Sequence, residues 1–154
     1  MATNWRYFHL SVVANAMNAC QLISEPIDTA AMVAAATSSQ SGAITLFTGN
    51  VREDIVDGQR IVALYYEAYP EMAIRELAAI RSQAISRFEL IDCRITHRLG
   101  RLELAQCSIA VVTAAPHRLN TLKAARWIMD ELKQRVPIWK KDIFADGNQW
   151  RNAP

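Results

Sequence analysis

"VPIWKKDIF", residues 136–144, sets a helix-breaking proline ahead of an apolar run that carries two adjacent lysines. Pro137 ends any helix that precedes it, because its ring removes an N–H and clashes with the turn before. The residues beyond it read as a strand, where successive side chains alternate between faces. Lys140 then shares a face with Ile138, and Lys141 shares the other with Trp139 and Ile143. One lysine faces a site and the other faces solvent or a partner chain; alternation alone does not say which. A double positive charge inside a strand calls for something negative to meet it: a carboxylate of the fold, a nucleic acid or a small anionic substrate.

Upstream of Pro137 the spacing is helical from about Asn120, with Leu122, Ala125, Met129, Leu132 and Val136 as the apolar stripe. Lys133 borders that stripe, at about 100° per residue. Its ammonium either reaches over the edge of the core into a cleft or simply snorkels at the surface. A second helix runs from Pro70 through Ala73, Leu77, Ile80, Ala84 and Phe88, with Arg75, Arg81 and Arg87 between them. A short Ala-rich helix follows the capping residue Asp28. "GAITLFTGNVR" (42–52) and "RIVALYYEAY" (60–69) are β-rich runs separated by "EDIVDGQ" (53–59), whose Asp-Gly marks a turn or loop. "LIDCRITHRLG" (90–100) and "QCSIAVVTAA" (106–115) are two more strands, joined through Gly100 and "RLELA". "GNQW" (147–150) reads as a turn leading into a last short strand. Helices mixed with antiparallel hairpins give an α+β class in two layers. No linker or repeat divides the chain, so residues 1–154 form one domain, with 1–23 an N-terminal extension of no assigned role.

Composition limits what such a fold can do. A chain of 154 residues, 51% hydrophobic, is long enough for one real core. A net charge of +2 gives little support to bulk binding of nucleic acid or membrane. The charge is uneven, however: residues 113–154 hold eight Lys/Arg against four Asp/Glu, and residues 1–112 hold nine against eleven. Cys20, Cys93 and Cys107 have no metal-ligand spacing; Cys93 and Cys107 fall in apolar strand-like runs and read as small buried hydrophobes, and a reduced, cytoplasmic setting fits. The first twenty residues faintly imitate an export signal, but His9, Ser11 and Asn15 interrupt the apolar stretch. No segment approaches the roughly 20 apolar residues that span a bilayer.

The chemistry-bearing residues are cationic. "TAAPHRLN" (113–120) ends a strand and starts a helix at His117 and Arg118, which serve either as an anion site or as a helix cap and salt bridge. "TGNVRED" (48–54) places Arg52 where a strand runs into an acidic loop, and "THRLG" (96–100) puts His97 and Arg98 at a strand end in a structural role. No Gly-rich phosphate loop, nucleophile elbow, paired-His metal motif or Cys nucleophile with a nearby His is present, and no cofactor or metal is expected. Several Arg and Lys with one or two His suit an anionic, phosphate-bearing ligand and charge stabilisation during group transfer.

"GAITLFTGNVR", "LYYEAYPEMA", "THRLG", "APHR" and "MDELKQRVPIWKKD" occur in this order, and as a set they resemble the large, catalytic subunit family of molybdopterin synthase over roughly residues 24–151. The resemblance implies an α/β hammerhead fold with an added antiparallel subdomain. It implies an enzyme that turns cyclic pyranopterin monophosphate (precursor Z) into molybdopterin by adding the two dithiolene sulfurs. The sulfur comes from the C-terminal Gly-Gly thiocarboxylate of a small ubiquitin-like carrier subunit, bound to a central homodimer as a heterotetramer. By motif, Lys133 and Lys140 match the catalytic lysines. Asn50, Val51, Arg52, His117 and Arg118, with Lys133, Lys140, Lys141 and Asp142, match the substrate contacts. Lys133 would stabilise charge or move protons, as a lysine desolvated beside other cations can. Two other readings are a non-catalytic module whose basic C-terminal face grips nucleic acid or another anion, and an inactive homologue. The sparse aromatics count against the first, and the intact set of Arg52, His117, Arg118, Lys133 and Lys140 counts against the second.

Overall fold

The computed structural model describes residues 19–151, with side chains described as far as Gly147, and the signal-like first eighteen residues lie outside it. In chain order the elements are β1 (Cys20–Ile23), α1 (Thr29–Ala36), β2 (Ala43–Asn50), β3 (Ile55–Val56), β4 (Gln59–Ala68) and α2 (Pro70–Phe88). Then come β5 (Asp92–Arg98), β6 (Gly100–Glu103), β7 (Cys107–Ala115), α3 (Arg118–Arg135), β8 (Ile138–Phe144) and β9 (Gly147–Arg151). The α+β class expected from the sequence is what the chain adopts.

One sheet has the order β1-β5-β7-β2, with β1 parallel to β5 and the other pairs antiparallel. Cys20–Ile23, which the sequence left with the N-terminal extension, is therefore an integral edge strand, with Cys20 opposite Ile95. Strand β7 is central and buried along nearly its whole length, because helices cover it on both faces. On one face Leu77 and Ile80 of α2 and Ile128 and Leu132 of α3 meet Ile95 and Val111. Burying each such side chain contributes roughly 1.5–3 kcal/mol. On the reverse face Ala36 of α1, with Met32 and Val33, packs on Val112 and Ala114. Asp28 caps α1 by accepting the Ala31 N–H at 2.9 Å.

The buried side of α3 differs from the stripe read in the sequence. Thr121, Ala124, Ala125, Ile128 and Leu132 face the core, whereas Leu122 is 56% exposed. A threonine can lead the buried face because its hydroxyl is satisfied: Thr121 Oγ1 donates to Arg118 O at 2.9 Å and accepts from Thr45 at 2.8 Å. Thr113 Oγ1 donates to Thr121 O, and Asn120 ties the same end of α3 to Phe88 O of α2. At the far end Arg135 pairs with Glu76 of α2 at 3.0 Å. Helix α3 is thus pinned at both ends.

The second sheet has the order β3-β4-β8-β9, with β6 also on β4, and all its pairs are antiparallel. The segment 53–59, expected as a turn or loop, contains β3 and a tight turn at Asp57-Gly58, both with positive φ (52° and 78°). Such a primed turn suits the twist of a hairpin. "GNQW" is not a turn: β9 already begins at Gly147, and the reversal falls at Ala145-Asp146. Helix α3 ends where Pro137 requires, with the Val136 N–H on Leu132 O, and the chain passes directly into β8.

Candidate active site

Where the two sheets meet, a cleft of about 350 Å³ opens beneath the C-terminal end of α3. The end of β2 contributes Gly49 and Asn50, β4 contributes Tyr66, β5 contributes His97, and β7 contributes Ser108. Helix α3 brings Met129, Leu132 and Lys133, and β8 brings Ile138 and Lys140. Gly49 lies so close to Ile109 that a Cβ there would stand 2.8 Å from its side chain, so a larger residue would push into this wall. The ladder of β2 on β7 shifts register between Gly49 and Asn50, which turns Asn50 to the cleft.

Strand β8 resolves the two adjacent lysines. Lys140 lies on the cleft side with Ile138, opposite Tyr66 of β4. Lys141 lies on the other side, in a separate hollow with Tyr65, Glu67, Arg101 and Ile143. Lys140 is 38% exposed, and its Nζ stands 3.7 Å from Oδ1 of Asp142, which is 1% exposed. Two positions along the same strand face, Asp142 places a buried carboxylate beneath the lysine. Lys133 is in the last turn of α3, where a cation complements the helix carbonyl end. Its side chain is exposed rather than desolvated, so the low-dielectric setting expected of it is not found.

The neutral residues that line the cleft beside the lysines were not read from the sequence as part of a site. The Tyr66 and His97 rings meet edge to face, with centroids 5.0 Å apart, and so join the two sheets. His97 is 5% exposed, its Nδ1 lies 2.9 Å from Arg98 O, and burial pulls its pKa down to about 4. Burial also raises the Tyr66 pKa, with a contact to Ser108 opposing and the Asp142 charge adding to the rise. Ser108 donates to Gly49 O at 3.0 Å. The tyrosine had only strand alternation to mark it, and His97 sat in a motif taken as structural.

The remaining anticipated residues lie elsewhere. Val51 is buried, and its backbone N–H and C=O are taken by Gln106 and Ala105. Arg52 is 84% exposed and pairs with Asp54 at 3.2 Å. His117 and Arg118 are exposed at the start of α3, and the His117 side chain makes no capping hydrogen bond. Fifteen positions separate Arg118 from Lys133 on one helix, a span of about 22 Å. Across that span the two side chains do not meet each other within one chain.

Nucleophilic cysteine chemistry has no support here. Burial pushes the Cys20 and Cys93 thiols up to about 11 and about 12, which suppresses their thiolates. Among the described residues no group of three or more His, Cys, Asp or Glu gathers to hold a metal, and no helix is long and apolar enough to cross a membrane.

Residues 22–135 match the family model described as MoaE protein. The molybdopterin synthase catalytic subunit of Pyrococcus abyssi is 43% identical over 118 residues, which span 77% of this chain and 79% of that protein. The Bacillus subtilis protein of the same name is 37% identical over 134 residues, or 87% of this chain and 85% of the relative. The crystal structure of molybdopterin synthase from Staphylococcus aureus superposes with a TM-score of 0.81 at 33% identity, covering 85% of this chain and 95% of that one. The cleft, its two lysines and these likenesses together place the chain in the MoaE family of molybdopterin synthase catalytic subunits.

Proposed function

We propose that this chain transfers sulfur from the C-terminal thiocarboxylate of a small ubiquitin-like carrier to cyclic pyranopterin monophosphate, forming the dithiolene of molybdopterin. The observation that carries the reading is the lining of the cleft, where Lys133 and Lys140 share one cavity with neutral Tyr66, His97 and Ser108. The lysines suit an anion, and the neutral groups suit a flat heterocycle. The carrier's sulfur bonds to a carbon of the pterin side chain in place of an oxygen substituent. Water attacks the acyl carbon, so that its C–S bond breaks and the carrier leaves as a carboxylate. Negative charge passes through the thiocarboxylate, the departing oxygen and the tetrahedral acyl oxygen. Two ammonium groups fixed beside that path lower its energy. Asn50 contributes an amide at the rim, and Asp142 holds Lys140 in place.

His117 and Arg118 enter this reading only from a second copy, because about 22 Å separates Arg118 from Lys133 within one chain. A homodimer in which each copy lends these cations to the other's cleft fits that span, with one carrier on each copy as a heterotetramer. Arg52, exposed just beyond β2, serves as an outer contact for the phosphate. The setting is the reducing cytoplasm, in keeping with free thiols at all three cysteines.

The reading is tested by anaerobic reconstitution with the pterin substrate and a thiocarboxylated carrier, assaying molybdopterin as its fluorescent oxidised derivative. Product from the native chain and little from Lys133→Ala supports it. Equal product from both removes Lys133 from the chemistry. No product from either, with the carrier complex formed, leaves an inactive homologue.

A further inference from the structure

The His97 ring carries a polar atom that the fold does not use. Its Nδ1 lies 2.9 Å from the carbonyl oxygen of Arg98, which can only accept, so Nδ1 bears the proton and Nε2 presents a lone pair. Among the described residues no hydrogen bond is made to Nε2, although the ring is 5% exposed and forms part of the cleft wall. The neighbouring groups are otherwise engaged: Ser108 donates to Gly49 O, and the Tyr66 hydroxyl is in contact with Ser108. Burial holds the ring neutral, with a pKa near 4, so Nε2 remains an acceptor at neutral pH. Nε2 itself is reached by solvent from the cleft, and a ligand that displaces this water must offer a donor in its place.

We infer that His97 Nε2 accepts a hydrogen bond from a ring N–H of the bound heterocycle and so sets its orientation in the cleft, an assignment that rests on the pterin reading above. A lone pair at this position repels phosphate and carboxylate oxygens, so the anionic substituent is directed to Lys133 and Lys140, which line the same cleft. Pterin-type rings present amide and amino N–H groups along one edge and meet this requirement. A ring with no N–H donor leaves Nε2 unsatisfied and is rejected on that account. His97 is thereby a substrate-positioning residue, distinct from the cations that act on sulfur.

Two replacements separate this role from a structural one. His97→Asn keeps an amide near the Nδ1 position, where it can still donate to Arg98 O, and places nothing at Nε2. His97→Gln does the reverse. In the reconstituted reaction the assignment expects His97→Asn to raise KM for the pterin roughly 5- to 20-fold with kcat little changed, and His97→Gln to stay within about 3-fold of native. A purely structural histidine gives the opposite order, with His97→Gln losing thermal stability and His97→Asn keeping native KM, and that result overturns the assignment.

A measurement on the native protein decides the matter even where neither variant folds. With 15N-labelled histidine, the Nε2 resonance of His97 should move upfield on titration with cyclic pyranopterin monophosphate alone. Product formation without that movement overturns the acceptor and leaves the sulfur-transfer reading standing. Movement without product, in the presence of the thiocarboxylated carrier, overturns sulfur transfer and keeps the acceptor. Neither movement nor product overturns both.

Discussion

Lys140 Nζ lies 3.7 Å from Oδ1 of Asp142, a buried carboxylate two residues further along the same face of β8. At that distance the pair attracts without a direct hydrogen bond, and Lys140 keeps solvent on its outer side. Asp142→Ala should therefore destabilise the fold by roughly 1–3 kcal/mol, less than for a fully buried pair because the lysine can still be hydrated. Asp142→Asn should cost less stability but still lower kcat, since Lys140 is no longer drawn to one position. Thermal melts and turnover of the two variants check this.

The span from Arg118 to Lys133, combined with the homodimer proposed above, predicts trans complementation. Arg118→Ala and Lys133→Ala homodimers should each be nearly inactive. In a mixed dimer one cleft carries both defects and the other carries neither. Subunit exchange between the two variants should recover about a quarter of native activity, since random pairing makes about half the dimers mixed with one working site each. Failure to recover any activity, with exchange verified, would mean that Arg118 does not serve a neighbour's cleft.

His97 gives the fold a defined acid sensitivity. Its folded pKa of about 4 lies below the ordinary 6.5, so the unfolded chain binds the extra proton first as pH falls. The stabilisation is present above about pH 6.5 and is lost progressively toward pH 4, amounting at most to roughly 3 kcal/mol. Melting temperature should fall across that window in the native protein and fall less in His97→Gln. Parallel melting curves would show that the titration lies elsewhere.

Packing of α3 offers a simple contrast. Ile128 is fully buried and Leu122 is 56% exposed. Ile128→Ala should cost roughly 2–5 kcal/mol, and Leu122→Ala about 0.5 kcal/mol or less, by chemical denaturation.

That contrast also marks what the sequence could tell. Long elements were legible because Pro70, Pro137 and Asp28 punctuate them and the apolar spacing between is regular. The face of α3 was read correctly at Ala125, Leu132 and Val136 but misplaced at its start, where Leu122 is exposed and Thr121 faces inward. Thr121 counts as polar in a pattern, yet its hydroxyl is satisfied inside the fold by Arg118 and Thr45. Strand β9 was shortened because its Gly, Asn and Gln resemble turn residues, while cross-strand pairing with β8 decides the matter. In the site, the lysines were visible as charges in apolar surroundings. Tyr66 and His97 were not, since they meet only when β4 and β5 of different sheets come together, a contact no local spacing encodes.

The most direct test of the account is to compare Lys140→Ala with Lys141→Ala in the reconstituted sulfur-transfer reaction. The residues are adjacent and alike in charge, and the fold alone assigns Lys140 to the cleft and Lys141 to the opposite hollow. Lys140→Ala should lose roughly 100- to 1,000-fold in kcat, and Lys141→Ala should stay within a factor of about 3. Equal losses, or a larger loss at Lys141, would contradict the placement of the chemistry in the cleft between the sheets.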